Sequence, residues 1–178
     1  MYLTDSVNIF FLGGNTFNLN SMVVKGDLDF VLIRPINPQF FVSLRYVMSY
    51  SIISTIILFC ILLKLIYAYH GSINIFNFAF FIFSFIAGVI LFYCIEFLIS
   101  CLVFWYRNFS LGGWLSSEML KYSRRPDSIY TNWFRRITFT VFPMALISSV
   151  PARILIFGLD VKIFLLQISI TSIFLLLT

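Results

Sequence analysis

The chain has 178 residues, of which 61% are hydrophobic and only 11% charged, with a formal charge of +5 and a mean hydropathy of +0.99. Soluble domains carry about 25% charged residues, so a chain this poor in them cannot cover its apolar surface in water. A bilayer removes the penalty for exposed Phe, Ile and Leu, and is the class that accommodates this composition. The positive charge does not indicate nucleic acid, because the Lys and Arg residues lie between apolar runs instead of gathering on one solvated face.

Residues 1–46 precede the first apolar run long enough to span a membrane. "VNIFFLGG" is too short to cross, and "NTFNLNS" is polar and turn-rich, which predicts an interfacial segment. "KGDLDFVLIRPINPQF", Lys25 to Phe40, then packs acids, bases, a glycine and two prolines into an otherwise apolar chain. Gly26 suits a helix end, Arg34-Pro35 asks for an extended step, and Asn37-Pro38 is a helix start with Asn as N-cap. Phe40, Phe41, Leu44, Val47 and Met48 recur at helical spacing, which predicts one helix that begins amphipathic at Pro38 and runs on into the membrane. Asp27 and Asp29, on either side of Leu28, can cap or bond nearby backbone amides. Two acids, two rigid X-Pro steps and an amphipathic helix together point to a docking surface for a soluble partner.

Residues 47–69 form the first span, matching the roughly 20 residues a bilayer core requires; Lys64 lies near its far end and can snorkel outward. Residues 70–75 are a short loop with the single histidine, His70. Residues 76–106 are longer than one crossing needs and end in the interfacial aromatics Trp105 and Tyr106. Residues 107–136 are the main polar loop, with Arg107, Lys121, Arg124, Arg125, Arg135 and Arg136. Residues 137–151 are a short span in which Pro143 and Pro151 predict a kink, residues 152–162 an outer link, and residues 163–178 a final span that stops short. The expected fold is therefore all-α, a polytopic transmembrane helix bundle of about four spans. Putting the polar loop and the segment with Lys25, Arg34 and Arg45 in the cytoplasm places nine of the 12 Lys and Arg inside, leaving Lys64, Arg153 and Lys162 outside.

Enzyme chemistry has no footing in these residues. There is one His and no GxxxxGK[ST] loop for ATP, and Cys60, Cys94 and Cys101 lie in apolar runs without CxxC spacing, so no metal site is expected. Glu96 is an acid within an apolar run near mid-membrane, where ionisable groups are functional or paired. It reads either as a pathway or interface residue, or as a neutral or hydrogen-bonded member of the bundle. The cluster Arg124, Arg125, Arg135 and Arg136 either anchors to anionic lipid heads or docks an acidic protein surface.

Gly26 to Pro38 resembles the G-[ED]-L-D-x-x-L-x-[KR]-P-x-[NS]-P segment of the bacterial ABC-2 family of transporter permeases, where it follows the second span. "FWYRNFSLGGWLSSEMLKYSRRPDSIYTNWFRRITFTVFPMALISSVPARIL" resembles the same family's later region: Phe-Trp closing the fourth span, a loop with Pro and Ile-Tyr, and a fifth span with Pro and then Pro-Ala. The resemblance extends roughly from Phe10 to Thr178; the family has about six spans, so this chain is expected to be truncated at both ends. It implies the permease subunit of an ATP-binding cassette exporter, multi-pass in the cytoplasmic membrane among its lipids. Such a subunit pairs with a second permease, identical or not, and with a separate ATPase that binds ATP and Mg; no cofactor is expected in this chain. Carried over by position, Gly26, Asp27, Leu28, Asp29, Arg34, Pro35, Asn37 and Pro38 form or support the surface that couples to the ATPase. The competing readings are a non-catalytic membrane anchor or accessory subunit and a lipid-modifying membrane enzyme, the latter lacking an acid, His or Cys cluster at the interface.

Overall fold

The computed structural model describes residues 2–11, 15–68, 74–105 and 143–178. Among them are eight α-helices: α1 Tyr2–Phe11, α2 Asn15–Lys25, α3 Asp27–Leu32, α4 Pro38–Ser43, α5 Tyr50–Ala68, α6 Ile75–Cys101, α7 Met144–Phe157 and α8 Val161–Leu177; a 3-10 turn, Leu102–Phe104, extends α6. The described residues thus form an all-α bundle of the membrane type. Two helical stretches, Tyr50–Ala68 and Ile75–Phe104, are long and apolar enough to cross a bilayer, and two shorter apolar helices accompany them.

Burial is inverted relative to a soluble helix. On α1 the buried residues are Thr4, Asp5, Ser6 and Asn8, while Tyr2 and Phe11 are exposed. In α5 only 6% of the apolar stretch is buried within the protein. Polar groups turn inward because hydrocarbon offers them no hydrogen-bond partners, and aromatic and aliphatic groups lose nothing by facing it.

The central post is α6. Its Phe81, Leu91, Phe92, Ile95 and Ile99 pack against Leu146, Ile147, Val150 and Ile154 of α7 to form the main apolar core. The two helices run antiparallel, with Gly158 at the end of α7 lying against Asn77 at the start of α6. On another side of α6 lies α8, where Phe80 and Phe164 meet edge to face at 5.5 Å. A polar clasp joins all three: Ser84 Oγ donates to Gln167 Oε1 (2.6 Å), and Gln167 Nε2 donates to the carbonyls of Ser84 (2.9 Å) and Leu146 (3.2 Å). Between α5 and α6 sits α1. Its Ser6 Oγ is hydrogen-bonded to Ser54 Oγ (3.1 Å) and Thr55 Oγ1 (2.7 Å), and Ser51 Oγ donates to the Ser6 carbonyl (3.0 Å).

Two stretches of the bundle differ from the sequence expectation, and a third lies at the end of α4. Asn15–Lys25 is helical although its polar, turn-rich sequence suggested otherwise, because Leu19 and Met22, one turn apart, pack into an apolar cluster with the end of α6. Residues 152–157, expected in an outer link, continue α7: Pro151 is inside that helix, Pro143 stands at its N-cap, and the link narrows to Gly158–Asp160 between α7 and α8. Proline removes the N–H that the carbonyl four residues earlier would accept, here that of Ile147. A Cβ on Gly88 would come within 2.8 Å of the Ile147 carbonyl oxygen, so the freed carbonyl lies against the bare backbone of α6. Neighbouring helices that shelter freed carbonyls are what let membrane helices carry proline.

Candidate functional site

The segment Gly26 to Pro38 forms an elbow at the end of the bundle where α5 begins and α6 finishes. Gly26 ends α2 with φ 78°, a left-handed conformation that glycine adopts without steric cost. Asp27 and Asp29 fall in the first turn of α3, where negative charge favours the helix dipole. Asn37 caps α4 as the Asn-Pro order predicts: its Oδ1 accepts from the backbone N–H of Gln39 (3.0 Å) and of Phe40 (3.3 Å). Arg34 and Arg45 stack on the same ring, their guanidinium carbons 5.5 and 5.7 Å from the Phe41 centroid. Such cation–π contacts hold two like charges in fixed positions.

The elbow has two layers. Leu28 and Val31 of α3 and Val42 of α4 are buried against Leu19 and Met22 of α2 and Val103 beyond α6. Asp27, Asp29, Arg34, Pro35 and Asn37 are exposed on the opposite layer, and Gly26 and Pro38 lie between. Phe30, Ile33 and Phe40 are exposed among the charges. A surface with rigid X-Pro steps, both signs of charge and exposed apolar side chains is suited to recognising a partner.

Three contacts that the sequence reading missed tie this layer to the bundle. Asn15, at the start of α2, donates from Nδ2 to the carbonyls of Ser43 (2.8 Å) and Tyr46 (2.7 Å) and accepts from the Tyr46 N–H at Oδ1 (2.8 Å). Its side chain thus replaces helical partners with a backbone-like pairing. As a result the helix expected to run unbroken from Pro38 stops at Ser43 and restarts at Tyr50. The Met48 N–H donates to the Phe10 carbonyl (3.2 Å), fixing the far end of the break to α1. Finally, Tyr93 of α6 receives a hydrogen bond from Gln39 Nε2 (3.3 Å) and is bonded to Ser43 Oγ (2.6 Å). Asn15 carried a readable hint, an amide between apolar runs. Tyr93 did not, because its partners are 50 and 54 residues away.

Glu96 is set apart from the elbow. It is buried and accepts at Oε2 from Asn8 Nδ2 of α1 (2.8 Å), so it joins α6 to α1. Arg124, Arg125, Arg135, Arg136 and His70 lie outside the described residues.

The family profile described as ABC-2 family transporter protein matches the chain over residues 1–178, its whole length. The chain belongs to the ABC-2 transporter family. Its role is therefore that of a permease-type membrane component, and the elbow, the α6 post and the α1 wedge are features of an ABC-2 protein. No curated protein and no solved structure matches the chain.

Proposed function

We propose that this ABC-2 protein is one permease half of an ATP-driven exporter, multi-pass in the cytoplasmic membrane, paired with a second permease and with a separate ATPase that binds ATP and Mg. The observation that carries the reading is the two-layer elbow: Asp27, Asp29, Arg34, Pro35 and Asn37 face outward while the layer beneath is tied to α2 by Asn15 and to α6 by Tyr93. A docked motor moving the outer layer would move α6 through Tyr93 and the start of α5 through the Asn15 pairing, because X-Pro steps and closed hydrogen-bond sets leave little slack. Leu28 acts as the buried peg of the outer layer, and Gly26 and Pro38 set its two bends. The excess of Lys and Arg in the cytoplasmic loops of membrane proteins puts the elbow, with Lys25, Arg34 and Arg45, on the cytoplasmic side.

Two experiments test this. Replacing residues 27–38 with a Gly/Ser linker should abolish co-purification of a co-expressed ABC ATPase subunit while leaving membrane insertion intact; retained binding refutes the docking surface. A cysteine placed at Asn37 in a background without Cys60, Cys94 and Cys101 should react with a membrane-impermeant thiol reagent only in inverted vesicles. Labelling in intact cells refutes the orientation.

A further inference from the structure

The contact between Glu96 and Asn8 contains an imbalance. Asn8 is 1% exposed and Glu96 6% exposed, and the one bond between them runs from Asn8 Nδ2 to Glu96 Oε2. The other half of the same amide, Asn8 Oδ1, is buried without a hydrogen-bond partner, a condition in which a carbonyl has given up its water and gained nothing in return. The remedy lies within the pair. Amide O and N are about 2.3 Å apart by standard bond geometry, and the two oxygens of a carboxyl are separated by nearly the same amount, so the two groups can meet edge to edge. A carboxylate brings only acceptors to that meeting, whereas a protonated carboxyl brings one donor and one acceptor, the complement of an amide.

We propose that Glu96 and Asn8 form a membrane-buried proton-binding site. The Glu96 carboxyl carries the proton and donates it from Oε1 to Asn8 Oδ1, while Oε2 accepts from Asn8 Nδ2, closing a two-bond acid–amide ring between α6 and α1. On release the proton passes to water and the carboxylate keeps the bonding electron pair; one bond of the ring is lost, Oδ1 is orphaned, and a negative charge is left in a region where charge is costly. The surroundings oppose that charge. Asp5, one turn from Asn8 on α1, is close enough to act on Glu96 electrostatically. From α5 come the hydroxyls of Ser51, Ser54 and Thr55, which bond Ser6 of α1 and do not titrate. Among the described residues of α7, Leu146, Ile147 and Val150 share the apolar core with Ile95 and Ile99, α8 brings Thr178 beside Cys94, and α2 packs at the level of Cys101 and Val103. Among the described residues Asp5 is thus the charged group facing the site. Proton occupancy sets how firmly α1, and through it α5, is held to α6.

Infrared difference spectroscopy of the full chain in lipid nanodiscs tests this without knowledge of any partner. The sequence has two glutamates, Glu96 and Glu118, so carboxyl-13C glutamate labelling isolates the signal. At pH 7 we expect a protonated-carboxyl C=O band that shifts with the label and in D2O, persists in Asp5→Asn and Glu118→Gln, and is lost in Glu96→Gln. Asn8→Leu should move the band to higher frequency, because the ring is broken. Glu96→Gln should keep α1 on α6, since two amides form the same ring. A spectrum with only carboxylate bands at pH 7 overturns the proposal, as does a band indifferent to Asn8→Leu. So does a band that added sodium removes, which would make the ligand a cation. If Glu96→Gln does not fold, the isotope shift and the Asn8→Leu shift decide the question.

Discussion

Replacing Asn15 should release the backbone between α4 and α5 from the bundle. The side chain makes three short hydrogen bonds, to the carbonyls of Ser43 and Tyr46 and from the N–H of Tyr46, all between 2.7 and 2.8 Å, besides a long one to the Phe11 carbonyl at 3.5 Å. At about 1 kcal/mol net for each, removal costs about 3 kcal/mol, equivalent to roughly a 100-fold shift in a local opening equilibrium. The opening is local because α5 and α6 are held by other contacts, so a thermal melt is the wrong readout. Hydrogen exchange at residues 44–48 is the right one: exchange there should accelerate by about two orders of magnitude in Asn15→Leu, with α6 amides unchanged as the internal control. Leu matches Asn in size, which separates lost hydrogen bonds from a lost volume. Wild-type exchange in Asn15→Leu would refute the reasoning, and so would acceleration in Asn15→Ala alone, which would assign the effect to packing.

Gly88→Ala should destabilise by about 1–3 kcal/mol, because the added methyl meets the Ile147 carbonyl oxygen at 2.8 Å; Gly26→Ala, with open space around it but φ 78°, should cost only about 1 kcal/mol of backbone strain. Thermal unfolding in detergent compares them. Gln167→Leu should cost about 1–2 kcal/mol, in line with interhelical polar contacts in membranes, and a cycle with Ser84→Ala should show most of that energy shared between the two residues. Tyr93→Phe keeps the ring and removes the hydroxyl that holds Gln39 and Ser43; exchange across α4 should rise about tenfold for a loss of about 1.4 kcal/mol, with ATPase co-purification retained.

Local signals were legible in the sequence wherever the deciding physics was local. The Asn37-Pro38 start, the Gly26 stop and the apolar stretches of α5 and α6 follow from backbone geometry and hydrocarbon solvation, both carried by adjacent residues. The break at Leu44–Ser49 was not legible, because its cause is an amide about 30 residues earlier whose bonds outcompete the next helical turn. Nor was the survival of α7 through Pro151, which depends on Gly88 of α6 standing where the freed carbonyl needs room. Glu96 drew notice as a charge in an apolar run, yet its partner Asn8 is 88 residues away. A signal for α1 existed in Thr4, Asp5 and Asn8, one polar stripe on an otherwise apolar helix. A lipid-facing helix is recognised by the stripe it hides, not the one it shows.

The placement of α1 has a mechanical corollary. Since α5 meets α6 chiefly by way of α1, and little of the apolar stretch of α5 is buried within the protein, swinging α5 outward chiefly exchanges one apolar contact for another, the polar cost among the described residues falling on the hydroxyl bonds along Ser6 and the Met48 to Phe10 bond at its start. The seam of least resistance therefore runs lengthwise beside α1, leaving the α6, α7 and α8 trio intact, and any lateral gate in this bundle would part there.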